Sequence, residues 1–83
     1  MPHFFFNLDD GEATFTDDEG ADFIDATAAR AVAVWDIQNL VRSGALDGLR
    51  CLHCCIVVED NQRMEVARVT FREAVAPELF RRL

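Results

Sequence analysis

Cys51, His53 and Cys55 set two thiols and an imidazole at alternate positions of one stretch. On an extended strand alternate residues share a face, about 7 Å apart, and such soft donors suit zinc. A structural zinc takes four ligands, no matching Cys-x-x-Cys pair stands elsewhere, and only His3 remains as a further contributor. The ordinary reading of these residues is small buried hydrophobes plus a satisfied or exposed imidazole. A redox-responsive thiol is a further reading. The expectation is no metal and no cofactor, with Cys51, His53 and Cys55 kept as candidates. The acidic turns around Asp9, Asp10 and Glu12 and around Asp17, Asp18 and Glu19 offer oxygen ligands for a hard cation, but a five-residue strand separates them and neither has EF-hand spacing. They read as solvated turns.

Catalysis has little to build on. Ser43 is the single serine and has no glycine-framed elbow, and no Lys exists to form a Schiff base or a P-loop. His53 alternates away from Cys54, and no carboxylate is placed to orient its ring. The sequence therefore reads as a non-enzyme.

The net charge of −7 is unevenly spread. Residues 1–25 hold eight carboxylates and no cation, whereas residues 26–83 hold seven carboxylates and eight Arg. Phosphate backbones and anionic lipid surfaces reward clustered cations, so this balance argues against nucleic-acid and membrane partners. Three cysteines within five positions do not resemble a disulfide framework, and the opening apolar run meets Asn7 and Asp9 at once, too early for a signal peptide. No run approaches a membrane span. A reducing cytoplasm is the expected setting.

The elements that must position these residues follow from patterning. Aromatic residues at 3–8 read as a strand, Asp9-Asp10-Gly11 as a turn, and 12–16 as a weak returning edge strand. Asp25 caps a helix running to about Ser43 or Ala45, with Gly44 and Gly48 as stop signals. Ala26, Ala29, Ala33, Ile37 and Leu40 form its inward stripe, widened by Val34 and Val41. Trp35 falls nearly opposite, beside Ala28 and Val32. Residues 50–58 and 64–71 read as a second hairpin around Asp60-Asn61-Gln62, with Asn61 the residue most able to adopt a left-handed backbone. Arg72 to Val75 and Pro77 to Leu83 read as a broken helix. The chain thus reads as one α+β domain over residues 1–83 of ββαββ order: a four-stranded, mostly antiparallel sheet, one long helix on one face, and a short C-terminal helical tail.

Met1-Pro2-x-Phe4-Phe5-Phe6 with Asp10-Gly11, the Asp18-Glu19-Gly20 turn, the helix start Asp25-x-x-Ala28-Ala29-Arg30-Ala31 and the closing Phe71-Arg72-Glu73-Ala74-Val75 resemble a family of short uncharacterised proteins common in rhizobia and related bacteria. The resemblance spans most of residues 1–75. It implies a fold and a bacterial cytoplasmic setting, and no activity. Val32 and Trp35 stand where that family usually has charged helix residues.

Strand alternation places apolar residues on both sheet faces: Phe4, Phe6 and Leu8 on one, Phe5 with His3 on the other. The expectation is that the tail or a second subunit covers the back face. The leading functional reading is a small interaction or regulatory protein acting through self-association or another protein, with Val32, Trp35 and Phe5 as interface candidates. The alternative is a metal- or thiol-dependent module on the Cys51, His53 and Cys55 strand.

Overall fold

Phe4, Phe6 and Leu8 alternate with His3, Phe5 and Asn7 along β1 (His3–Asp9), and the first set turns into the core while the second does not. The computed structural model describes residues 1–44 and 53–74. Within them β1 is the organising strand. On one side it pairs with β4 (Cys55–Glu59), Phe6 opposite Val58 and Leu8 opposite Ile56. On its other side two strands of two residues each share its length: β2 (Thr14–Phe15) against Leu8 and Asp9, and β3 (Ala21–Asp22) against His3 and Phe4. β5 (Glu65–Thr70) completes an antiparallel sheet of order β2-β1-β4-β5. The architecture is the expected α+β arrangement of sheet, long helix and a helical turn at 71–74, with β3 as one strand more than the sequence indicated.

Two features of the 16–20 loop create β3. Asp17 accepts N–H groups from Phe6, Glu19 and Gly20 at 3.0–3.1 Å, pinning the loop to β1. Gly20 has φ +67°, and a Cβ there would meet the Phe4 carbonyl oxygen at 2.5 Å, so only glycine lets the chain pass this close.

The helix α1 (Ala26–Arg42) begins where Asp25 accepts the Ala28 N–H at 2.8 Å, a cap contributing about 1 kcal/mol. It ends at Ser43, with Gly44 following at φ +80°. Ala29, Ala33 and Ile37 are buried, and Ala26, Val34 and Val41 pack beside them, as the stripe predicts, whereas Leu40 of that stripe is only half-buried. The two alanines bring the helix axis close to Val58, Val69 and Phe71, all fully enclosed. The helix lies mainly over β5 and β4 and only marginally over β1.

The second hairpin departs from expectation in detail. Residues 50–52 lie outside the described residues, and β4 begins only at Cys55, with His53 in a turn. The left-handed residue is Arg63 (φ 63°), not Asn61. Asp60 sets this turn, its carboxylate accepting the Gln62 and Met64 N–H groups. The pairing then shifts by one residue between Val58 and Glu59, a bulge in β5. After β5, Thr70 and Glu73 cap the turn at 71–74 reciprocally: the Glu73 carboxylate accepts the Thr70 N–H, and the Thr70 hydroxyl accepts the Glu73 N–H. Arg30 and Gln38 on one flank of α1 tie down Glu73 and the Ala74 carbonyl.

Candidate protein-docking site

Because α1 is displaced toward β5, the front face of β1 is not fully roofed. A groove of about 470 Å³ opens there, its floor Phe6, Leu8 and Ile56 and its wall Trp35, Asp36, Asn39, Leu40 and Ser43. At 100° per residue these wall positions form one flank of α1, and Val32, half-buried, continues it. The flank carrying Arg30 and Gln38 is the opposite one. Trp35 is 60% exposed despite lining the groove. Phe15, also largely exposed, pairs with Leu8 and so extends the floor outward along the same sheet face.

Val32 and Trp35 therefore stand together, as the sequence indicates. Phe5 does not join them. It lies on the back face, where the Arg63 guanidinium sits 3.5 Å from its ring centroid and His3 meets it edge-on at 5.1 Å. Arg63 also donates to the Asp17 carbonyl and pairs with Glu59. On the same face Asn7 is buried, accepting the Asp17 N–H, and Arg68 reaches the Cys55 sulfur at 3.5 Å. Cover for this face thus comes partly from the chain's own arginines and the 16–20 loop. The tail expected to lie there falls outside the described residues.

Sequence reasoning passed over Asp36. It occupies the middle of a Val32, Asp36, Leu40 row at i, i+4 and i+8, a lone carboxylate between apolar neighbours, and that interruption is the signal that could have found it. Burial pushes its carboxyl above the ordinary aspartate value. Among the described residues no hydrogen bond or ion pair engages it.

The remaining candidates disperse. His53 is exposed beside the β1–β2 turn, where a Cβ on Gly11 would lie 3.3 Å from its own Cβ. Cys54 is buried in the core and Cys55 on the back face. Cys51 lies outside the described residues. The alternation argument fails for His53 because it precedes the strand. Among the described residues no group of three or more His, Cys, Asp and Glu side chains could hold a metal ion. The acidic turns are directed inward on their own backbone: Asp9 accepts the Gly11 N–H, and Asp10 those of Glu12 and Ala13. These hydrogen bonds, from Ala13 first, hold the Asp10 carboxyl below its ordinary value. No helix among the described residues is long and apolar enough to cross a membrane.

No curated protein and no solved structure matches the chain. The model of a family described as a domain of unknown function, DUF6894, matches residues 3–72, and the chain belongs to that family.

Proposed function

We propose that this protein is a small, non-catalytic interaction module of the reducing cytoplasm that docks a segment of another protein in the groove between α1 and β1. The carrying observation is the largely exposed Trp35 lining one groove with Phe6 and Leu8. Large aromatic side chains beside a partly desolvated apolar floor are typical anchors of protein contacts. The net charge of −7 disfavours nucleic acid and anionic membrane as the partner.

Selection of a random peptide library on the immobilised protein tests this reading, because the single tryptophan reports directly on the groove. The expected result is a set of binders that shift Trp35 emission to the blue and lose affinity for the Trp35→Ala variant. Binders indifferent to that substitution, or an empty selection, would overturn it.

A further inference from the structure

We infer that the segment docked in this groove presents an Arg or Lys beside an apolar anchor, the cation pairing with Asp36 while the anchor fills the space over Phe6, Leu8 and Ile56. The inference rests on the docking reading and specifies the partner's chemistry.

Asp36 is half-buried on the groove wall, and its neighbours there are mostly apolar. A carboxylate partly withdrawn from water and given no hydrogen bond costs stability in the free protein, and an incoming cation removes that cost. Among the described residues no cation pairs with it: Arg30 pairs with Glu73 on the opposite flank, Arg63 covers Phe5, and Arg68 pairs with Glu65. The raised Asp36 carboxyl reflects the same uncompensated burial. An acidic or neutral segment would leave the carboxylate further desolvated, so charge complementarity selects a basic one.

The test uses three peptides, acetyl-Ala-Phe-Xaa-Leu-Ala amide with Arg, citrulline or Glu at Xaa, titrated into the protein while the Trp35 indole N–H is followed by NMR. Citrulline matches the shape of Arg without its charge. The expected order is Arg tightest, citrulline about five-fold weaker and Glu weakest, as a partly exposed charge pair allows. The Asp36→Asn variant should remove the advantage of Arg over citrulline. Equal binding of the Arg and citrulline peptides would overturn the cation inference and leave the docking reading standing. No movement of the indole signal with any peptide would overturn both. A chain that sediments as a dimer, with its indole already protected and unmoved by the peptides, would replace the basic segment by a second copy as occupant.

Discussion

The Asp17 carboxylate accepts the Phe6 N–H at 3.0 Å, standing in for a neighbouring strand at the one stretch of β1 that neither β2 nor β3 covers. The same side chain holds the Glu19 and Gly20 N–H groups. Replacing it leaves three backbone donors without their acceptor, so Asp17→Ala should cost about 2 kcal/mol. Urea unfolding of the variant beside wild type checks this, an unchanged midpoint being the contrary result. Partial burial would raise this carboxyl, but the N–H donors of Gly20, Phe6 and Glu19 and the Arg63 charge outweigh it and hold the group below its ordinary value. Its folded pKa thus lies below the unfolded one. The stability it supplies is complete above the unfolded value and drains away as pH falls through the folded value, and Asp17→Asn should flatten the acid limb of the stability curve.

His3 titrates in the other direction. Its Nδ1 donates to the Asp22 carboxylate at 2.6 Å and its Nε2 to the Glu19 carbonyl at 2.7 Å, an arrangement that requires protons on both nitrogens. The Asp22 hydrogen bond, first, and the Glu19 carbonyl, second, raise its pKa above the ordinary histidine value. A folded pKa above the unfolded one means that this contribution is fully present below the unfolded value and is lost as pH rises through the folded value. An NMR titration of the ring should show the raised pKa. Hydrogen exchange at Ala21 and Asp22 should quicken above that pKa by more than the intrinsic pH dependence, and His3→Gln should abolish the excess.

Ala33 is fully enclosed between α1 and the sheet, whereas Ala31 on the same helix faces solvent. Enlarging the first forces the helix off the sheet, so Ala33→Leu should destabilise by about 2 kcal/mol. Ala31→Leu should stay within about 0.5 kcal/mol of wild type. Thermal or urea unfolding of the pair decides it, and equal effects would contradict the packing.

Cys54 and Cys55 are both buried. Their reaction with a thiol reagent, followed site by site through mass spectrometry, should be slow in native buffer and accelerate steeply with urea. Rapid native labelling at either position would show the strand start to be open.

The elements specified by local signals were legible before any coordinates. Asp25 and Gly44 bracket α1 through capping chemistry, and the alternation of Phe4, Phe6 and Leu8 depends on strand period alone. β3 was not legible, because two exposed residues without alternation become a strand only through the contacts of Asp17 and Gly20 with the distant Phe6 and Phe4. The left-handed position moved from Asn61 to Arg63 because the Asp60 hydrogen bonds and the bulge, rather than residue preference, set the turn. Val32 and Trp35 could be placed on an outer helix flank from sequence. The groove beneath them could not, since it depends on how far α1 lies from the middle of the sheet. The Thr70-x-x-Glu73 cap is a local motif and lies open in the sequence.

The two edges of the sheet bear on how copies of this chain can accumulate. The outer side of β1 is occupied by two short strands with Asp17 between them. Among the described residues β5 is the other margin, and it is bent by its bulge, carries the Glu65–Arg68 pair, and gives way at once to the turn at 71–74. Neither margin offers a long flat row of unpaired amides on which a further strand could template. Strand-by-strand fibrillar growth along these margins is therefore disfavoured for the native form.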